Sequence, residues 1–124
     1  MKGMSYAHNI DSDLESAVEY NGGLDLKQVD SVVAAVYGEN DGANWYWILK
    51  MKDGTFGLGE GGCDYTGWDC QSWFGFTSAK TAKAAVKLAP VEEDRWSSKR
   101  KIRSCLQKQL DGKQPFGSID GEDS

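Results

Sequence analysis

The run Asn44-Trp-Tyr-Trp-Ile-Leu-Lys-Met-Lys52 constrains this chain most. Strand side chains alternate between faces, so Trp45, Trp47, Leu49 and Met51 share one side while Tyr46, Ile48, Lys50 and Lys52 share the other. A helix would put the two tryptophans about 200° apart, which makes extended backbone the reading that groups them. Asp53-Gly54 follows as a type I′ turn signal, so residues 55–60 are expected to return antiparallel, with Gly57 and Gly59 permitting bends or close backbone approach. Upstream, residues 29–37 form a β-branched run ending on Tyr37 and closed by Gly38-Glu-Asn-Asp-Gly42. The expectation is a three-stranded antiparallel meander.

Helical signals flank the meander. Residues 11–20 offer N-cap candidates and early acids before Asn21-Gly22-Gly23 stops them. Ser78 can cap a helix over residues 79–89, where Ala82, Ala85, Val86 and Ala89 share a face before Pro90. A further helix is expected from about Asp94 to Leu110, with Glu92, Glu93 and Asp94 at its positive end and Ile102, Cys105, Leu106, Gln109 and Leu110 as its inner stripe. Gly112 ends it, and Phe116 is placed to tack the chain back onto the core. The order implies an α+β fold: a three-stranded meander with one N-terminal and two C-terminal helices packed on one face. Its order is similar to that of double-stranded RNA-binding domains, although one topology hosts many functions. Residues 1–117 read as one domain and residues 118–124 as an acidic, disordered tail.

With 40% hydrophobic residues, five tryptophans and five tyrosines among 124 residues, the chain has the means to build an ordered core. No apolar run approaches the roughly 20 residues needed to span a bilayer, and Met1-Lys-Gly-Met-Ser-Tyr-Ala-His8 lacks the apolar centre of a signal peptide. A soluble, cytoplasmic protein is expected, with its three cysteines reduced. The net charge of −5 is unevenly spread: residues 1–77 hold twelve acids and four bases, residues 78–113 hold four acids and ten bases, and the tail adds three acids. Each half can therefore steer a charged partner of opposite sign.

Residues 61–73, Gly-Gly-Cys-Asp-Tyr-Thr-Gly-Trp-Asp-Cys-Gln-Ser-Trp, concentrate costly residues in what reads as a sharply bent loop. Tyr65 and Trp68 are the candidate partner anchors, with Asp64 and Asp69 as acidic flanks, because binding hot spots favour Trp and Tyr. Trp73 and Phe74 read instead as a lid folded over the sheet. Cys63, Cys70, Asp64, Asp69 and His8 carry the atom types of a zinc site, but six residues separate the loop cysteines where structural sites use closer pairs, and no metal or other cofactor is expected. A catalytic cysteine would need an oriented base, and His8 is the sole imidazole, so no catalytic residue is assigned. Gly57, Gly59, Gly61 and Gly62 lack the Lys-Ser/Thr of a phosphate-cradling loop and read as shaping a strand end. Lys80, Lys83 and Lys87 line one helix, and Lys99, Arg100, Lys101 and Arg103 enrich the next, which gives a nucleic-acid-binding alternative. The same bases also read as a solvated face offsetting the acidic half.

Across Trp45-Tyr-Trp-Ile-Leu, Asp53-Gly54 and the Gly61-Gly-Cys-Asp-Tyr-Thr-Gly-Trp-Asp-Cys-Gln-Ser72 stretch, the chain resembles a group of small bacteriophage and bacterial proteins. The likeness extends through Arg103 and the Leu106 to Gly117 ending, and the group carries no established activity. The resemblance implies a small non-enzymatic module that binds and blocks a host protein, among them anti-CRISPR and other anti-defence inhibitors. A basic nucleic-acid-handling host component is the partner it implies, reached in the cytoplasm of a bacterial cell. A cysteine- or metal-dependent enzyme stands as the second alternative.

Overall fold

The computed structural model describes residues 12–38, 43–64, 67–95 and 98–117, and among these the side chains of all but residues 69, 70, 94, 95, 98 and 99. The expected acidic tail lies outside the described residues. Helix α1 (Ser12–Asn21) is followed by a short 3-10 turn (Leu26–Gln28), then strands β1 (Val29–Val36), β2 (Trp45–Met51), β3 (Phe56–Asp64) and β4 (Gly67–Ala79). Helix α2 (Ala82–Leu88), strands β5 (Glu93–Arg95) and β6 (Ser98–Arg100), and helix α3 (Ile102–Leu110) complete the fold. It is an α+β fold, with β1 to β4 forming one antiparallel sheet in sequence order and β5–β6 a separate small hairpin.

The alternation in β2 holds, but both of its faces are buried. Trp45, Trp47, Leu49 and Met51 join Leu14, Ala17 and Val18 of α1 in one core, whereas Tyr46 and Ile48 join Ala85, Val86, Ile102, Cys105 and Leu106 of α2 and α3 in another. The helices thus cover opposite faces of the sheet, not the one face expected from their order. Phe116 packs against the α1-side core.

Asp53-Gly54 makes a different turn from the one expected. Gly54 N–H donates to the Met51 carbonyl at 3.0 Å and Met51 N–H to the Thr55 carbonyl at 2.8 Å, enclosing a three-residue loop. Gly54, at φ +92°, supplies the left-handed residue that such a loop requires. Asp53 Oδ1 accepts from Thr55 N–H and Thr55 Oγ1, at 2.9 and 2.6 Å, and fixes the corner.

The fourth strand is the main departure from the three-stranded expectation. Residues 61–73 are not a loop: β3 runs through Asp64, and β4 pairs with it in continuous register from Phe56↔Ala79 to Cys63↔Ser72. Asp64 then pairs with Gly67, so residues 68–71 bulge from β4 without partners on β3. The glycines explain why the strand is tolerated. Gly57, Gly59 and Gly61 alternate on the α1 side of β3, between the large side chains of β2 and β4. A Cβ on Gly59 would stand 3.2 Å from the Phe74 ring and 3.5 Å from Trp47, and one on Gly57 would meet the Phe76 ring. Missing side chains make the furrow that the rings fill, so these glycines lie within a strand and not at its end.

Two helix starts also move. Ser78 lies in β4, and Thr81 caps α2 by accepting the Ala84 N–H at 3.0 Å. The helix expected from Asp94 begins only at Ile102, after the β5–β6 hairpin. Glu93 and Arg100 are paired across that hairpin and joined by an ion pair, a closure that a continuous helix would pull apart. The inner stripe of α3 is as expected, with Ile102, Cys105, Leu106 and Gln109 buried. Among the described residues no helix is long and apolar enough to cross a membrane.

Candidate partner-binding surface

The β3–β4 hairpin turns Trp68 of its bulge inward. Trp68 is only 9% exposed, its ring centroid 4.8 Å from that of Trp45 at an interplanar angle of 55°. Its indole N–H donates to Asp13 Oδ1 at 3.3 Å, while the Trp45 indole N–H donates to Asp13 Oδ2 at 3.0 Å. One α1 carboxylate therefore satisfies two indoles that would otherwise be stranded in an apolar setting. Burial excludes Trp68 as the exposed anchor expected of it. Tyr65 lies outside the described residues, as does the Asp69 side chain, and Asp64 is half-buried opposite Gly67.

Trp73 and Phe74 separate. Phe74 packs against the α1-side core as a lid, but Trp73 points to the opposite face and is 43% exposed. Cys63 is a half-buried thiol, and burial, reinforced by the charges of Asp13 and Asp64, pushes its pKa up. That holds the group in its poorly nucleophilic thiol form at neutral pH. His8 and the Cys70 side chain lie outside the described residues, and among those described no three Cys, His, Asp or Glu side chains cluster to hold a metal.

The basic candidates divide by what already holds them. Arg100 donates to Glu93, to the Tyr37 carbonyl at 2.8 Å and to the Asn44 carbonyl at 2.8 Å, and the two ionic side chains are 15% and 16% exposed. Arg103 donates to the Ala89 and Lys87 carbonyls, at 2.8 and 3.0 Å, fastening α3 to the end of α2. Both guanidinium groups are thus structural fasteners. Lys101 is exposed, the Lys99 side chain is outside the described set, and Lys80, Lys83 and Lys87 are exposed along and just before α2.

Sequence reasoning missed the Glu93 cluster. Glu93 Oε2 accepts the Asn44 N–H at 3.2 Å and the Tyr46 hydroxyl at 3.4 Å, while Oε1 faces Arg100. Burial, then the Glu93 charge, pushes the Tyr46 pKa up to about 12, opposed by a hydrogen bond with the Asn44 side chain. The available signal was a Glu and an Arg seven residues apart, which reads equally as helix.

The sheet edges differ. Because Met51 N–H bonds to the Thr55 carbonyl, the hydrogen-bonded pairs between β2 and β3 are Leu49↔Gly57, Trp47↔Gly59 and Trp45↔Gly61. Antiparallel alternation then turns Leu58, Glu60 and Gly62 toward β4, where they pair with Thr77, Gly75 and Trp73. The main-chain groups of Ser72, Phe74, Phe76 and Ser78 consequently face outward, and among the described residues no backbone group from outside the sheet pairs with them. Ala35 occupies the equivalent outward position on β1, and Gln109 closes it: its Oε1 accepts Ala35 N–H at 2.9 Å and its Nε2 donates to the Ala35 carbonyl at 2.8 Å. No protein-family model, curated protein or solved structure matches the chain.

Proposed function

We propose that this chain is a non-enzymatic protein-binding module that captures an extended segment of its partner along the outer edge of β4. One observation carries the reading: β4 presents four consecutive outward main-chain positions, from Ser72 to Ser78, on a stretch that holds no charged residue and no proline. Strand addition draws its affinity from such groups and its specificity from alternate side chains beside them. Trp73, exposed next to that edge, supplies the aromatic anchor expected of an interface.

The resemblance to small phage and bacterial proteins supports a host protein as the target and blockade as the effect, as in an anti-CRISPR or other anti-defence inhibitor. The acidic half of the chain favours a basic, nucleic-acid-handling partner met in the bacterial cytoplasm, whose approach it would steer. Direct nucleic-acid binding by the α3 region is the weaker reading, because Arg100 and Arg103 already serve the fold.

The test is capture from bacterial lysate, with and without nuclease, by wild type and by Ser78→Pro. Proline at 78 removes an outward N–H while leaving the β3–β4 ladder intact. A nuclease-resistant partner lost in Ser78→Pro, with thermal unfolding little changed, is the expected result. Thr77→Pro, which removes an inward bond, should instead unfold the domain. Undiminished capture by a folded Ser78→Pro, or capture that nuclease abolishes, overturns the reading.

A further inference from the structure

On the face of the sheet covered by α2 and α3, cross-strand pairing sets out ordered rows. One row is Tyr46, Glu60 and Gly75; its neighbour toward the β3–β4 turn ends in Gly62 and Trp73. Trp73 lies over Gly62, its Nε1 2.7 Å from where a Gly62 Cβ would sit, so the indole spreads along the sheet. Among the described residues, a Cβ on Gly75 would meet nothing within 4 Å. Beside that gap, half-buried Glu60 engages no hydrogen bond or ion pair among the described residues, and burial pushes its pKa up. A carboxylate, an aromatic wall and a missing side chain thus adjoin one another at the open edge.

We propose that Glu60, Trp73 and Gly75 form a notch for one arginine side chain of the captured segment. The inference rests on the strand-addition reading for its partner, and on the notch alone for its chemistry. A strand laid along β4 would set alternate side chains over this same face, opposite Trp73 and Gly75. The strand spacing puts Glu60 about 10 Å from such a strand, a span suited to a long side chain and open because residue 75 is glycine. Arginine fits best: its planar guanidinium stacks on an indole, is more weakly hydrated than an ammonium and forms a charge-assisted pair with a carboxylate.

The notch is tested without the partner, by following the Trp73 indole N–H resonance during titration with N-acetyl-arginine amide and N-acetyl-norleucine amide. The expected result is a saturable shift with the arginine compound, and a response at least about tenfold weaker with norleucine and in Glu60→Gln, the effect of losing one cationic contact. Gly75→Val should fill the gap and abolish the shift, with circular dichroism confirming that the variant is folded. No arginine-dependent shift up to the solubility limit, or equal shifts with norleucine or in Glu60→Gln, overturns the notch. The two proposals fail separately: Ser78→Pro should keep the arginine titration while losing capture, and a strand-capturing protein with no arginine response would lose only the notch.

Discussion

The two edges of the sheet solve the same chemical problem in opposite ways. At β1 the Gln109 side chain imitates a neighbouring strand, offering an acceptor and a donor to Ala35, and its Oε1 also accepts the Gly117 N–H at 3.0 Å. At β4 the outward groups of Ser72 to Ser78 meet no such imitation among the described residues, and the stretch lacks the lysines and prolines that usually blunt an edge. One edge is sealed by a buried amide; the other is uncharged, lies beside an exposed tryptophan and has no such seal among the described residues.

The largest expected effect comes from opening the sealed side. Gln109→Ala strands the Ala35 N–H and carbonyl in a buried setting and should cost about 3 kcal/mol, read as a fall in urea midpoint, because unsatisfied buried groups carry their full desolvation penalty. A loss under about 0.5 kcal/mol would mean that the amide merely accompanies the closure. Next, Gly57→Ala thrusts a methyl group at the Phe76 ring from within β3 and should cost about 1–3 kcal/mol by overpacking, loosening β4 while leaving β1 in place. Hydrogen exchange should register that asymmetry, with faster exchange of β4 amides than of β1 amides.

Smaller effects sharpen the contrast. Ser78→Lys sets a charge on the exposed edge and should alter stability by less than about 0.5 kcal/mol while weakening strand capture. Glu60→Gln should slightly raise the melting temperature at neutral pH. Since folding raises the Glu60 pKa, its contribution is fully present below the unfolded value and is lost as pH rises through the folded one. The advantage of Glu60→Gln should therefore vanish in acid, and a gain that persists there would assign it to something other than charge. At the alkaline end Tyr46 acts with the same sign: the stability it contributes is complete below pH 10.0 and is lost as pH climbs toward about 12.

Much of the fold could be read from periodicity, and the failures share a cause. Alternation in residues 45–52 and the stripe of Ile102, Cys105, Leu106 and Gln109 are local patterns that packing obeys. The β4 strand was hidden because glycine, aspartate and cysteine in residues 61–73 resemble loop composition. What makes them a strand is distant: Trp47, Phe74 and Phe76 need the furrow left by Gly57 and Gly59. The late start of the expected long helix likewise follows from Asn44 and Tyr46, about fifty positions away, which share Glu93 with Arg100. At the candidate site, the expected exposures of two tryptophans are exchanged: Trp68, read as an exposed anchor, is buried, and Trp73, read as a lid, is exposed. Trp68 and Trp73 differ by which side of β4 they leave, and the four-residue bulge that sets this has no local sequence mark.

Asp13 also bears on the order of assembly. Helix α1 has ten residues, too few to persist alone in water, and its carboxylate is shared between indoles 32 and 55 positions further along the chain. The earliest of the described elements to leave a ribosome must wait for β2 to supply Trp45 and for β4 to supply Trp68 before both of its tryptophan partners exist. What is synthesised first therefore becomes firm late, and a refolding trace of tryptophan emission should record the docking of α1 as a closing event.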